Sequence, residues 1–199
     1  MSRSVSVCLI LVLSALAGCA TPPLHQPAIP SPLAEVPDAH ARDARGRTAL
    51  MLAARDGDEL LLRALLRRGA DVNAADRTGM TPLMQATARG HAVMARRLIG
   101  AGANVNARTP QGDTALIFAS LYGQAEAVQV LLEHGALVNL REANGITALM
   151  IAADGGNMAI VQALLAHGAD VHAATAGGES ALVLAREKGF RAIIELLRR

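Results

Sequence analysis

The sequence predicts an all-α solenoid of stacked helix–turn–helix units, and three observations carry that reading. The first is a period. Gly46, Gly79, Gly112, Gly145 and Gly178 stand 33 residues apart, and Thr48, Thr81, Thr114, Thr147 and Ser180 follow two positions later. Leu50, Leu83, Leu116, Leu149 and Leu182 keep the register, as do Ala53, Ala86, Ala119, Ala152 and Ala185. Gly57, Gly90, Gly123, Gly156 and Gly189 close the pattern. A fixed period of this length specifies a repeat architecture rather than one closed core. Such arrays act mainly as binding surfaces, which argues against catalysis before any site is inspected.

The second observation is the spacing inside a unit. From Asp76 to Arg108, Thr81 is placed to cap a helix, with Pro82 in its first turn, where a missing N–H costs little. Leu83 and Ala86 then share one helical face, and Gly90 ends the helix. Met94, Ala95, Leu98 and Ile99 form the apolar stripe of a second helix, which Gly102 ends. Residues 103–107 read as an extended segment leading to the next turn. The third observation is composition. Of 199 residues 52% are apolar but only 2% aromatic, so the core is aliphatic and alanine-based. Lys188 is the one Lys beside eighteen Arg, and a formal charge of +2 is too balanced to suggest nucleic-acid binding on charge alone.

The runs Thr81-Pro82-Leu83, Leu65-Leu66-x-x-Gly69-Ala70-Asp71-Val72-Asn73-Ala74 and Leu164-Leu165-x-x-Gly168-Ala169-Asp170-Val171 resemble ankyrin repeats. The resemblance covers 43–199 in five units: 43–75, 76–108, 109–141, 142–174 and a shorter 175–199. It implies an L-shaped array of antiparallel helix pairs with β-hairpin fingers projecting at one side. The family's usual His after Thr-Pro-Leu is replaced by Met51, Met84, Ile117, Met150 or Val183. Each turn thereby loses a bracing hydrogen bond, of about 1 kcal/mol, which apolar packing has to offset. Arg191, Glu195, Arg198 and Arg199 give the last helix a polar face, as the end of an array requires, and the array reads as complete there. The opposite end is less clearly capped, because Leu60 to Leu62 form an apolar run.

The N-terminus reads differently. Arg3 precedes an apolar run from Val5 to Leu16, the length of a signal-peptide core and too short to span a bilayer comfortably. The run ends in Leu16-Ala17-Gly18-Cys19, which resembles the lipobox of bacterial lipoproteins. That resemblance implies cleavage after residue 18 and a diacylglycerol thioether on Cys19. An ordinary cleaved signal and an uncleaved anchor are the alternatives. Cys8 would leave with the signal, so the mature chain would have no thiol for a disulfide, metal or catalysis. Loss of Arg3 would leave eighteen basic side chains against 17 acidic ones. Two or three acyl chains would hold the membrane firmly, at about 0.8 kcal/mol per buried CH₂. Residues 20–42 hold six of the eight prolines. They read either as a semi-rigid spacer reaching up to roughly 70 Å or as a leader with no spacing role.

The family resemblance implies that partners bind at finger tips and on the inner face of the first helices. Carried over unit by unit, it selects Arg45, Arg47, Arg55 and Asp56, then Arg77, Met80, Arg89 and Arg108. The third unit contributes Gln111, Asp113, Leu121, Tyr122 and Arg141. The fourth contributes Asn144, Ile146 and Asp154, and the fifth Glu179, Glu187 and Lys188. The face is graded from Arg-rich to acidic, with the one Tyr near its middle. Tyr and Arg are over-represented among binding hot spots. Tyr122, Leu121, Arg89 and Met80 are therefore the expected centre, flanked by Arg108 and Arg141, with Arg55, Arg77 and Ile146 completing the site.

His134 and His167 sit at second-helix ends, where the helix dipole favours a partly charged imidazole. His172 replaces the Asn found at Asn73, Asn106 and Asn139. No third ligand accompanies His167 and His172, so no metal or other cofactor is expected. No catalytic constellation stands out, and Asp56 and Asp58 beside Gly57 read as capping residues. The expected function is a monomeric, non-enzymatic protein-binding module tethered in a bacterial envelope, at the outer membrane facing the periplasm. It would act as an accessory or chaperone-like protein, or as an immunity-type protein that occludes a toxin. A structural envelope tether, in which lipid and linker matter more than the face, is the alternative.

Overall fold

The computed structural model describes residues 37–198, and ten helices occur among them. They alternate as first and second helices of successive units. The first helices are α1 (Ala49–Asp56), α3 (Pro82–Ala88), α5 (Ala115–Leu121), α7 (Ala148–Asp154) and α9 (Ala181–Lys188). The second helices are α2 (Glu59–Arg67), α4 (Ala92–Gly100), α6 (Ala125–Glu133), α8 (Met158–Ala166) and α10 (Arg191–Leu197). Each helix packs on its pair mate. First helices pack on first helices from α1 to α9, and second on second from α4 to α10, so the array has two layers. No described helix is long and apolar enough to cross a membrane. The signal segment, Cys19 and the linker as far as residue 36 lie outside the described residues.

The periodic residues explain the layers. Thr48, Thr81, Thr114, Thr147 and Ser180 each cap a first helix, the hydroxyl oxygen accepting from the N–H three residues on. The donors are Met51, Met84, Ile117, Met150 and Val183, the residues that stand in place of the family's His. The first four of these side chains are buried. Leu50, Leu83, Leu116 and Leu149 are buried in the first-helix layer, and Leu65, Leu98, Leu131, Leu164 and Leu197 in the second. Burying each such side chain stabilises the array by about 1.5–3 kcal/mol.

The fingers are tighter than expected. In each, a backbone turn closes on a Gly, as in Gly46 N–H to Asp43 C=O at 2.8 Å, and a second bond runs from Asp43 N–H to the Arg47 carbonyl at 3.0 Å. The hairpins are too short for strands: three isolated bridges, Arg42–Thr48, Arg141–Thr147 and Ala174–Ser180, are the β-pairing among the described residues. Residues 103–107 are not extended either. Val105 and Asn106 form a turn, with Ala107 N–H donating to the Asn104 carbonyl at 3.2 Å.

Packing also reaches upstream of residue 43. Ala39 is buried, and the Arg42 guanidinium donates to the Ala75 carbonyl at 2.7 Å. Gly57 shows why the helix-ending glycines recur. Its φ is 78°, and a Cβ there would lie 2.9 Å from the His91 ring of the next unit.

Candidate partner-binding face

Two neighbouring clefts open along the first helices. One, of about 500 Å³, is lined by Met80, Gln85, Ala88, Arg89, Phe118, Tyr122 and Gln124. The other, of about 340 Å³, is lined by Leu121, Ile146, Met150, Ile151, Asp154, Gly155, Thr175, Glu179 and Leu184. Leu121 ends α5 and Tyr122 is its C-terminal cap, so adjacent residues divide the two clefts. Both stand out as large apolar groups in water, Leu121 55% and Tyr122 58% exposed. Single exposed apolar residues are ordinary, but here an aromatic and an aliphatic side chain stand together between two clefts.

The clefts differ in charge. Arg89 is the charged side chain of the first, and its guanidinium has no ion-pair partner among the described residues. The second is largely aliphatic with two carboxylates. Asp154 pairs with Lys188 at 3.4 Å, and Glu179 accepts from the Thr175 hydroxyl at 3.3 Å.

Of the nine residues expected to bind a partner, Met80, Arg89 and Tyr122 meet in the first cleft, and Leu121 and Ile146 in the second. The other four line neither cleft. Arg55 forms a two-pronged bond to Asp56, at 2.7 and 2.9 Å. That guanidinium holds the Asp56 carboxyl below its ordinary range. Arg77 sits at a finger, its N–H donating to the Arg45 carbonyl at 3.1 Å. Arg108 donates to the Arg141 carbonyl at 2.7 Å, and Arg141 to the Ala174 carbonyl at 3.0 Å, so both guanidinium groups brace the following finger. In the first finger Asp43 is drawn down to about 2, chiefly by the hydrogen bond from the Arg47 side chain and then by that from its N–H.

Gln85, Phe118, Ile151 and Leu184 line the clefts without having been singled out in the sequence. They occupy one column, 33 residues apart, with Leu52 at its head. All are half-buried. The signal that marks them is variation of residue type at a fixed register.

A second missed feature holds the loops together. Asn73 donates to the Gly102 carbonyl at 3.1 Å and accepts from the Asn104 N–H at 2.8 Å. Asn106 repeats this with Gly135 and Leu137, and Asn139 with Gly168 and Asp170.

The histidines serve the scaffold. Nδ1 of His134 donates to the Val130 carbonyl at 2.7 Å, and that of His167 to the Ala163 carbonyl at 2.9 Å. A carbonyl only accepts, so each ring carries its proton on Nδ1. His91 reaches the previous unit, Nε2 donating to the Arg55 carbonyl at 3.0 Å. Asp58 caps α2 through the Leu61 N–H, whereas Asp56 caps nothing and pairs with Arg55. Among the described residues no three His, Cys, Asp or Glu side chains group closely enough to hold a metal ion.

A family model for ankyrin repeats, three copies in length, matches residues 25–109, 50–142 and 136–199. No curated protein matches the chain.

Proposed function

We propose a protein-docking role in the bacterial cell envelope for this chain, which belongs to the ankyrin-repeat family. Ankyrin repeats are generally protein–protein interaction modules. The finer reading is that one or a few periplasmic proteins dock across the ridge of Leu121 and Tyr122. Arg89 receives an anionic group in the first cleft, and an apolar side chain enters the second. The observation that carries this is the pair of exposed ridge residues between two clefts of opposite charge character. Met80 and Ile146 line the cleft walls; Arg55, Arg77, Arg108 and Arg141 lie outside the clefts and contribute at the margin.

The proposed organisation is a signal peptide over 1–18, a lipidated Cys19 with its linker to 42, and repeats over 43–199. Sequence supports the anchor, through the apolar run and Leu16-Ala17-Gly18-Cys19. Outer-membrane attachment facing the periplasm is the proposed location, since Ala20 and not Asp follows Cys19. The role is accessory or immunity-type and needs no reaction.

A photo-reactive residue in place of Tyr122, in cells, tests the docking face. The expected result is a discrete adduct that is absent when the same residue replaces Leu137, an exposed apolar group outside the clefts. Equal adducts from both positions would contradict the face, and no adduct from either favours a plain envelope tether. Cys19→Ala should abolish acyl labelling; retained labelling would contradict the anchor.

A further inference from the structure

The second helices carry a charge pattern that the docking face does not use. One outward stripe recurs every 33 residues. In α2 it is Leu60, Arg63 and Arg67, and in α4 it is Val93, Arg96 and Gly100, all exposed. At the same positions α6 presents Glu126, Gln129 and Glu133, and α8 presents Ala159, Gln162 and Ala166. Among these four units the outer face is therefore cationic and apolar in the first two. Leu60 is 79% exposed and Val93 51%.

The two stripes form one surface. A shallow cleft of about 440 Å³ between α2 and α4 is lined by Arg63, Leu66, Arg67, Arg97, Gly100 and Ala101. Glu59 bridges Arg63 and Arg97 across it. Nε of Arg97 is buried there with no hydrogen-bond acceptor. Arg67 and Arg96 have no ion-pair partner among the described residues.

We infer that the outer face of α2 and α4 docks on the anionic headgroup surface of a phospholipid leaflet, with Leu60 and Val93 entering the headgroup boundary and the Arg side chains meeting lipid phosphates. Guanidinium groups bind phosphate oxygens in a fixed, two-pronged geometry. Exposed aliphatic groups among cations are the composition of a surface that lies on a membrane rather than crossing it. The face also belongs to the units nearest in sequence to Cys19; that one supporting point rests on the lipid-anchor reading. An array lying on α2 and α4 would leave the clefts on its other layer open to a partner.

The chain contains no Trp, so Leu60→Trp and Ala159→Trp in the full chain give single-site fluorescence probes at equivalent positions. With vesicles of brominated phosphatidylglycerol, Leu60→Trp should be quenched and Ala159→Trp should not. Vesicles of brominated phosphatidylcholine should quench neither. Adding Arg67→Gln and Arg96→Gln should raise the phosphatidylglycerol needed for half-maximal quenching roughly thirtyfold. Equal quenching at both probes, or no preference for phosphatidylglycerol, would overturn the inference. So would a Leu60→Trp response to soluble polyglutamate but not to vesicles, which would assign the face to an acidic protein. The mass of Cys19 in the same samples reports the anchor separately. An unacylated chain must still show the phosphatidylglycerol-dependent quenching, and an acylated chain without it sinks the face and spares the anchor.

Discussion

The joint between the second and third units and the joint between the fourth and fifth are built from different materials. At the former, Asn106 ties its loop to Gly135 and Leu137, and Arg108 ties one finger to the next. At the latter, the positions that would answer such bonds fall beyond residue 199, and α7 packs on α9. An exposed pair, Lys188 with Asp154 at 3.4 Å, joins α7 to α9 there beside the apolar packing. Exposed pairs of this kind contribute only about 0–1 kcal/mol. The first cleft straddles the stitched joint of the second and third units, and the second cleft spans both the stitched joint of the third and fourth units and the packing of α7 on α9.

The largest effects should come from the packed layers. Leu131→Ala removes a fully buried side chain and should destabilise by about 2–5 kcal/mol in chemical denaturation. Leu184→Ala, half-buried at the last joint, should cost less than half as much; equal losses would deny the contrast. Next come the polar stitches. Asn106→Ala removes its bonds to the Leu137 N–H and the Gly135 carbonyl, both exposed, and should cost about 0.5–1.5 kcal/mol. His172→Ala, in the same column, should stay within about 0.5 kcal/mol.

The smallest effect is local and depends on pH. Asp43 has a folded value of about 2 against an ordinary 3.8, because Arg47 binds its charged form. A depressed carboxyl contributes stability that is fully present above its unfolded value and is lost as pH falls through the folded one. The Arg45 and Arg47 amide resonances should therefore shift with a midpoint near 2 while the helices stay folded, and Asp43→Asn should remove the step. A midpoint near 3.8 would contradict the ion pair.

Much of this architecture was legible in the residues. The Thr and Ser caps, the glycine turns and the buried Met51, Met84 and Ile117 all follow from local rules applied at a period. What escaped depends on contacts between units. Asn73, Asn106 and Asn139 are plainly periodic, but each bonds a loop about thirty residues away, which no rule of local spacing specifies. Arg108 and Arg141 vary between units and so read as partner-facing, yet their guanidinium groups reach the next finger's carbonyl. Their spacing of 33, shared with Arg42 at twice that interval, was the available sign. Phe118 lies one turn inside α5, a position that by helical spacing alone does not distinguish core from cleft wall. Its column changes from Gln85 to Ile151, which marks a cleft wall rather than a packing position.

Tyr122 carries the central claim, and the affinity of the cross-linked partner for single variants of the full chain tests it most directly. Tyr122→Ala and Arg89→Ala should each weaken binding by at least about tenfold. Arg108→Ala and Leu137→Ala should leave it within about twofold, since those residues lie outside both clefts. Unchanged affinity for Tyr122→Ala, or an equal loss for Leu137→Ala, would contradict the account.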